Sequence, residues 1–298
     1  MSRMTRIEIL VVVLVLSLSL ALRLTGLNRF VVCDEVRWTC RSIGFRQALI
    51  ERNWANTFRT GHPGVITTWL GGMFIPWRDV APETKESCTV TQDASELSHT
   101  GESVDERTDF MHAVGESLFK ARRGVALFTW LGVIGMYFLV RHLWGSKTAV
   151  LSLILIALDP FYLGLSRFLH IDAVLTSLMS LSVLSLLAFL WERKPGERRM
   201  GFLLLSGAMG GLASLQKSPA MFLGPFVALV MILDLLRKGL RRESLLRWTR
   251  NVVIWGGVAV AVYVALWPSM WVQPVESIRR ILDKAIGYAQ EGHSSGNY

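Results

Sequence analysis

Charged residues are scarce in this sequence. Asp, Glu, Lys and Arg make up 18% of its 298 residues and 51% of the residues are hydrophobic, whereas about 25% of the residues in a typical soluble domain are charged. This composition excludes an ordinary soluble domain and predicts an integral membrane protein. The net charge of +9 does not indicate nucleic acid as a partner, because the basic residues cluster in short stretches between apolar runs.

Cysteine is scarce as well, and its three copies show no metal-type spacing. Cys33, Cys40 and Cys88 form an odd set, which predicts no disulfide framework. A single Cys33–Cys40 bridge is allowed in an oxidising compartment. Internal repeats, heptads and low-complexity tracts are also absent from the sequence, so the long apolar runs carry the prediction of the fold.

The first apolar run, Ile7–Leu22, follows Arg3 and Arg6. A signal peptide would need a small-x-small cleavage site after this run, and Ala21-Leu22-Arg23 is a poor one. The run is therefore predicted to be an uncleaved first span with a cytoplasmic N-terminus. Six further runs predict an all-α, polytopic membrane helix bundle of about seven spans. They are Gly124–Val140, Thr148–Leu165, Ala173–Trp191, Met200–Leu215, Ala220–Leu236 and Val252–Trp271.

The basic residues predict the orientation of these spans. Seven spans that start inside leave three short connections in the cytoplasm, and all three are basic: Arg141–Lys147, Glu192–Arg199 and Arg237–Arg250. Residues 1–298 then form a single transmembrane module, with a large extracytoplasmic loop at residues 28–123. Arg122 and Arg123, at the outer end of the second span, depart from the rule, which long loops obey poorly.

Two segments are predicted to lie on the outer membrane surface. His62–Trp77 is apolar, but it is short and interrupted by glycine and proline, so an interfacial or re-entrant helix fits it better than a span does. Pro274–Gln290 has apolar residues on one face and is predicted to be an amphipathic helix. The sequence then stops at Tyr298 without a terminating feature, from which we expect that a C-terminal part is missing.

Asp34 and Glu35 lie where the first span should emerge into water. Charges at a membrane boundary are costly if they point into lipid, and they are often functional. One interpretation makes Asp34 the catalytic base of a membrane enzyme, which later segments of the chain come back to meet. The other interpretation is that both carboxylates solvate a loop.

Two short outer connections contribute further polar residues. Arg167 offers a fixed fork of donors that suits a phosphate, and its alternative role is interfacial snorkelling. Asp172 lies where the N-cap of the fourth span is expected, and capping explains it as well as a role in a site does. Lys217, in the connection before the sixth span, is either a second phosphate ligand or an end anchor.

Histidines provide weaker candidates. His62 precedes Pro63, and His293 lies near the end of the chain. Two histidines so far apart favour a neutral, hydrogen-bonded role for each over metal binding. No metal site is predicted, although a divalent metal beside Glu35 stays open as a cofactor. Asp159-Pro160 lies inside the third span, where proline frees backbone groups and kinks a helix.

The acid pair, Arg167 and Lys217 are all predicted to meet at the outer membrane face. Such a site suits a lipid-phosphate substrate, whose tail lies in the bilayer and whose phosphate pairs with cations. A carboxylate would activate an acceptor hydroxyl, because a hydroxyl is a weak nucleophile at neutral pH. The cations would stabilise the charge that grows on the departing phosphate.

The order of these motifs resembles the GT-C glycosyltransferases, and most of all the protein O-mannosyltransferase-like branch with the related aminoarabinose transferases of lipid A. Asp34-Glu35 matches the acidic pair of the first outer loop, and His62-Pro63 matches an HPP-type motif on a membrane-surface helix. Ser166-Arg167 with Asp172 matches the loop after the third span. The segments Leu266–Trp271 and Gly292-His293 resemble the seventh span and the loop beyond it in bacterial members of the family.

The resemblance implies a polyprenyl-phosphate sugar donor, inversion at the anomeric carbon, and a protein or glycolipid acceptor. The site would lie on the extracytoplasmic side of a bacterial or archaeal plasma membrane, in contact with membrane lipid. Asp34 would be the general base, and Glu35 would position the acceptor or a metal. The substrate-binding residues would be Arg167, Lys217, Asp172, His62 and His293.

Two features depart from the family pattern: Gly64 replaces the second proline of the HPP motif, and the family has further spans after this point. The alternative functions belong to other classes. A lipid-linked sugar or ion transporter would use Asp34 and Asp172 as gating charges, but transporters place charges near the bilayer middle and show repeated halves. A non-catalytic membrane scaffold would need no acid and base residues on one side.

Overall fold

The computed structural model describes residues 4–90, 104–191 and 197–291. Regular structure within these ranges is entirely helical, which confirms the predicted all-α fold class. The α-helices are α1 (Arg6–Leu24), α2 (Cys33–Ile50), α3 (Val65–Phe74), α4 (Pro82–Val90), α5 (Val104–Trp144), α6 (Ser146–Ala157), α7 (Pro160–Leu165), α8 (Asp172–Trp191), α9 (Glu197–Ser214), α10 (Leu223–Lys238), α11 (Arg242–Leu266), α12 (Ser269–Val272) and α13 (Pro274–Glu291).

Five helical segments of the described part are long and apolar enough to cross a membrane. They are Arg6–Leu24, Val114–Trp144, Asp172–Trp191, Ser218–Arg237 and Arg242–Leu266. Each of them overlaps one of the predicted spans. The other two predicted spans differ, because the third falls on the short helices α6 and α7, and the fifth falls on α9, whose first turn is charged. The count of seven spans stays a prediction.

The third predicted span is divided in two at Asp159-Pro160. Helix α6 ends at Ala157 and α7 begins at Pro160, because a proline lacks the amide N–H that a continuing helix needs. The Asp159 side chain accepts a hydrogen bond from the backbone N–H of Tyr162 at 2.6 Å and so caps α7. The kink expected at this proline is therefore a helix break with its own cap.

Helix α5 is much longer than the predicted second span. Its 41 residues give a helix about 60 Å long at 1.5 Å per residue, roughly twice the thickness of the hydrocarbon core. Lys120 and Arg122 precede the predicted start of the span at Gly124, and they contact Asp79 and Glu35. The last part of the predicted 28–123 loop is thus a helical extension of this span.

Helix α3, in the stretch after His62, is too short to span a membrane by itself, because its ten residues extend only about 15 Å. It packs between α2 and α5. The approach to α2 is so close that a Cβ atom on Gly71 would lie 2.3 Å from Ser42 Oγ. The placement of α3 and α13 on a membrane surface stays a prediction.

Helices α2 and α4 are joined by a disulfide between Cys40 and Cys88, whose Cα atoms lie 5.0 Å apart. The pairing of Cys40 with Cys33 that the sequence allowed is therefore wrong. The buried guanidinium of Arg59 donates a hydrogen bond to the Cys88 carbonyl oxygen. Burial, together with the nearby charge of Arg41, lowers the pKa of Arg59 to about 10. This part of the first loop is a closed and packed unit of the fold.

A buried ion pair connects α1 and α5 where the N-terminus of α1 meets the C-terminus of α5. Arg141 Nε lies 2.7 Å from Glu8 Oε1, and the Tyr137 hydroxyl donates to the same oxygen at 2.8 Å. Because the charges neutralise each other, they can be buried together in the bundle. The polar residues described below lie at the other end of α1.

Candidate functional site

The first turn of α2 carries Asp34 and Glu35. Successive residues of an α-helix are rotated by about 100°, so the two neighbouring side chains point in different directions. Glu35 is completely buried, whereas the Asp34 side chain is 54% exposed. The predicted acid pair therefore has one carboxylate inside the protein and one that is open to an incoming molecule.

Glu35 lies at the centre of a buried hydrogen-bond network. Its Oε1 accepts from Arg122 Nε and from the backbone N–H of Leu169, both at 2.8 Å. Its Oε2 accepts from Arg122 Nη2 and, at 3.0 Å, from the backbone N–H of Val32. These four donors fill the roughly four acceptor positions of a carboxylate. The predicted contact of Glu35 with an acceptor or a metal therefore has no support in this geometry.

The surroundings of Arg122 explain why it departs from the positive-inside rule. It is buried against Glu35, and it also donates to the carbonyl oxygens of Leu27 and Phe30. The pair joins α5 to the chain between α1 and α2, and through Leu169 to the connection before α8. An arginine is needed here because it supplies several donors in a fixed plane.

Asp34 has a sparser environment. Its Oδ1 lies 3.7 Å from Arg37 Nη1, one turn later on the same helix. Its Oδ2 lies 3.9 Å from Nε2 of His170, which belongs to the connection before α8. Neither distance is a direct hydrogen bond, so the carboxylate keeps acceptor capacity for a proton from outside.

Asp172 and Lys217 form an ion pair with each other. Lys217 Nζ lies 2.9 Å from Asp172 Oδ1, and His170 Nδ1 lies 3.3 Å from Asp172 Oδ2. Both were predicted to bind substrate, and the structure does bring them to the same end of the bundle as Asp34. Lys217 has a carboxylate partner, however, which makes it a weaker candidate for a phosphate than a free cation would be.

Arg167 lines a cavity of about 230 Å³ at the end of α1, together with Arg29, Phe30 and Phe168. Its guanidinium donates to the carbonyl oxygen of Thr25. Gly26 lies between the two arginines with φ +65°, and a Cβ atom there would lie 3.4 Å from both side chains. The positive φ favours glycine at this position, and Arg29 and Arg167 line one concave surface, which is a suitable arrangement for a phosphate.

The His62-Pro63-Gly64 turn is attached to the connection after α9. The backbone N–H of Gly64 donates to the Gln216 carbonyl oxygen at 3.0 Å. Gly64 has φ +54°, and a Cβ atom there would lie 2.1 Å from the Trp38 ring. A second proline could neither adopt this φ nor donate this hydrogen bond, which explains the departure from the HPP motif. His62 lies in this turn, where its backbone N–H donates to the Thr60 hydroxyl at 3.4 Å.

Metal binding finds no support from clustered ligands. Within residues 4–90, 104–191 and 197–291, no group of three or more His, Cys, Asp or Glu side chains could hold a metal ion. His293, the second predicted histidine, lies outside the described residues.

Four residues of the site were missed as site residues by sequence reasoning: Arg29, Arg122, His170 and Gln216. Arg122 had a usable signal, because a cation that violates the positive-inside rule needs a partner. His170 lies between Arg167 and Asp172, both of which were recognised. Gln216 had no distinctive signal, since its hydrogen bonds are with residues far away in the sequence. Arg29 had none either, because only the fold brings it to the same cavity as Arg167.

The sequence profile described as dolichyl-phosphate-mannose-protein mannosyltransferase matches residues 108–271, which is more than half of the chain. The chain belongs to this family. The predicted resemblance to the O-mannosyltransferase branch is thereby confirmed. The matched range contains Arg122, Arg167, Asp172 and Lys217, whereas the acid pair precedes it.

The mannosyltransferase fold is also found by comparison with solved structures. The chain is similar to the S. cerevisiae protein O-mannosyltransferase Pmt1–Pmt2 complex bound to the sugar donor, with a TM-score of 0.64 and 21% sequence identity. The match covers 93% of this chain and 35% of that chain, so this chain spans about a third of the yeast protein's length. No protein among the curated sequences matches the chain significantly. The family and the apolar helices together make it a multi-pass integral membrane protein.

Proposed function

We propose that this chain is the catalytic membrane module of a glycosyltransferase, which moves a sugar from a polyprenyl-phosphate donor to an acceptor hydroxyl, with Asp34 as the base. One observation carries the proposal. An exposed carboxylate with spare acceptor capacity lies at the same end of the bundle as a cavity lined by Arg29 and Arg167. The buried Glu35–Arg122 pair connects the two, because Arg122 also lines that cavity.

The donor phosphate would bind between Arg29 and Arg167. The cavity lies at the end of α1, whose outward residues Leu10, Leu14 and Leu18 are at least half exposed. An apolar surface of this kind suits contact with a polyprenyl chain in the bilayer. The donor's tail would therefore run along α1 while its phosphate reaches the two guanidinium groups, whose charge favours the anion.

The transfer step follows from this placement. Asp34 takes the proton from the acceptor O–H, and the acceptor oxygen attacks the anomeric carbon on the face opposite the phosphate. The bond from the anomeric carbon to the phosphate oxygen breaks, and its electron pair leaves with the polyprenyl phosphate. The configuration at that carbon inverts. Arg29 and Arg167 stabilise the additional negative charge on the departing phosphate, and the proton stays on Asp34 until it is lost to water.

The site would face the extracytoplasmic side. The Cys40–Cys88 disulfide supports this side, because disulfides persist in oxidising compartments. The basic connections at the other end of the helices support it as well. A bacterial or archaeal plasma membrane remains the predicted location, and a protein hydroxyl or a glycolipid remains the predicted acceptor.

The replacement Asp34→Asn tests the proposal in the full-length protein. It keeps the shape of the side chain and removes its basicity. We expect sugar transfer from a polyprenyl-phosphate mannose donor to fall about 10²–10⁴-fold, the usual contribution of general-base catalysis. Donor affinity should change little, because the phosphate contacts are untouched. Transfer and donor binding are measured separately on each variant.

Asp79→Asn is the matched control, since Asp79 is also exposed and has a salt bridge, to Lys120 at 2.6 Å, away from the proposed base. It should retain the parent rate. The proposal is wrong if Asp34→Asn transfers sugar at the parent rate. It is also wrong if the parent protein transfers no sugar from any donor in a panel of polyprenyl-phosphate hexoses and pentoses.

A further inference from the structure

We propose that His170 is a positioning residue, which holds the carboxylate of Asp34 through a chain of contacts to Asp172 and Lys217. The contacts among these four side chains are argued from the geometry alone. Their catalytic consequence rests on the proposed function, in which Asp34 is the base.

His170 sits in a backbone segment that is held on both sides. The preceding residue, Leu169, donates its N–H to Glu35, and the His170 carbonyl oxygen accepts from the Thr67 hydroxyl of α3 at 3.5 Å. The Gln216 side chain donates to the carbonyl oxygen of Ile171, the following residue, at 3.1 Å. The imidazole is therefore presented from a fixed main chain, while 24% of its side chain stays exposed.

Both ring nitrogens face carboxylates. Nδ1 lies 3.3 Å from Asp172 Oδ2, and Nε2 lies 3.9 Å from Asp34 Oδ2. The remaining oxygen of Asp172 accepts from Lys217 at 2.9 Å. From Lys217 to Asp34, side chains with nitrogen groups thus alternate with carboxylates. These four side chains connect α2, α8 and the connection after α9.

Asp34 needs such a partner because little else restrains it. Its side chain is 54% exposed, and its other contact, Arg37, is itself 41% exposed and lies at 3.7 Å. A misplacement of about 1 Å at a reacting group can cost on the order of 10²-fold in rate. A small rotation of Asp34 would bring Oδ2 into hydrogen-bond range of Nε2, and catalytic hydrogen bonds are often longer in the free enzyme than in the complex.

The connection before α8 is also held by contacts that do not involve the imidazole. The Glu35–Arg122 pair and the backbone hydrogen bonds around Leu169 already hold the connection before α8. A change at His170 that keeps its volume should therefore leave the fold intact, which separates a positioning role from a structural one.

Two replacements of similar size separate the two ring nitrogens. A glutamine amide reaches the position of Nε2, so His170→Gln keeps a donor toward Asp34. An asparagine amide reaches only the position of Nδ1, so His170→Asn keeps the contact with Asp172 and loses the one with Asp34. In the full-length protein with polyprenyl-phosphate mannose, we expect kcat to fall roughly 10²-fold for His170→Asn and less for His170→Gln.

The KM for the donor should stay within about twofold in both variants, because the phosphate contacts are elsewhere. His142→Gln is the matched control. His142 lies at the C-terminal end of α5, where its ring packs on Phe202, and its replacement should leave kcat unchanged. The proposal would be overturned if kcat fell equally in His170→Asn and His170→Gln. It would also be overturned if the KM for the donor rose while kcat stayed unchanged.

A double-variant cycle asks whether His170 acts through Asp34. In the Asp34→Asn background, His170→Asn should cause no further loss of turnover, because the group it positions is already inactive. Additive losses would show independent roles and would contradict the proposal.

A last measurement does not need turnover. The chain has six histidines, and ¹⁵N NMR of histidine-labelled protein identifies His170 as the signal lost in His170→Gln. That signal should move in Asp34→Asn and in Lys217→Gln, but not in Asp79→Asn. If it moves while the parent transfers no sugar, the contact chain holds and the proposed function fails. If it does not move, the contact chain is wrong, whatever the activity.

Discussion

At the scale of single residues, the adjacent acids Asp34 and Glu35 have opposite surroundings. One is half exposed with two long contacts, and the other is buried with four hydrogen-bond donors. The rotation from one residue to the next along α2 is enough to separate them. We infer that Asp34 serves the chemistry and that Glu35 holds three parts of the chain together.

Glu35→Gln should therefore lower stability more than it lowers the rate per folded molecule. Removing one partner of a buried ion pair leaves the other charge uncompensated, which costs about 3–5 kcal/mol. Asp34→Asn is the same chemical change one residue away and should cost little. Thermal unfolding of both variants in detergent checks this expectation. Equal unfolding temperatures for Glu35→Gln and the parent would show that the network around Glu35 is dispensable.

Arg167→Ala should weaken donor binding, because it removes one of the two guanidinium groups proposed to bind the donor phosphate in the cavity at the end of α1. A charge-assisted contact to a phosphate contributes about 1.5–3 kcal/mol, which corresponds to roughly a 10- to 150-fold loss of affinity. Arg167→Lys should recover only part of it, since the planar fork is lost.

Lys217→Ala provides the comparison for Arg167→Ala. Because Lys217 pairs with Asp172, its removal should reduce donor affinity less. Binding is measured with polyprenyl-phosphate mannose in detergent. A larger loss for Lys217→Ala than for Arg167→Ala would exchange the proposed roles of the two cations.

The sequence predicted the residue types of the site better than their partners. Asp34, Arg167, Asp172 and Lys217 were all placed at the same membrane face, because the alternation of spans determines the side of every connection. The sequence did not show that Lys217 is neutralised by Asp172. Ion pairs of this kind depend on how loops fold over one another, which no local pattern records.

At the scale of elements, the sequence predicted what the local chain controls. The apolar runs became helices, and Asp159-Pro160 became a break, because proline acts on its own backbone. The 41-residue length of α5 was missed, because the polar residues before Gly124 show no apolar periodicity. Their helix is supported by contacts such as that of Arg122 with Glu35.

The disulfide between α2 and α4 leads to a prediction for this pair of elements. Cross-linking residues 48 positions apart should contribute about 2–4 kcal/mol of stability, chiefly by restricting the unfolded chain. Adding a reductant should therefore lower the unfolding temperature of the parent protein. The double variant Cys40→Ser/Cys88→Ser should unfold at that lower temperature and show no response to reductant. A parent protein that is unaffected by reductant would contradict the prediction.

At the scale of the whole molecule, the arrangement across the membrane can be tested directly. We expect Glu83→Cys on α4 and Arg242→Cys at the start of α11 to react with a membrane-impermeant maleimide from opposite sides. Both substitutions are made in a Cys33→Ser background, so that the remaining native cysteines are joined in the disulfide. Labelling of both positions from the same side would refute the predicted orientation and, with it, an extracytoplasmic site.

The sequence could predict only in part how the polar connections come together in the folded molecule. Positive-inside parity brought the polar connections to one side, but it could not say that Gln216 joins α3 to the connection before α8, or that Gly64 must fit beneath Trp38. The first depends on close approach between segments that are more than a hundred residues apart. The second depends on the packing of one ring. The departure from the HPP motif therefore made sense only in three dimensions.

The light packing around Asp34 has a practical consequence for finding the acceptor. An amide at this position disturbs almost no contact of the folded chain, yet it removes the carboxylate that we propose as the base. Such a variant should fold and bind its lipid-linked sugar donor without transferring the sugar. Immobilised in that loaded form, it would retain acceptor molecules that the active enzyme modifies and releases, so that they could be eluted and identified by mass spectrometry.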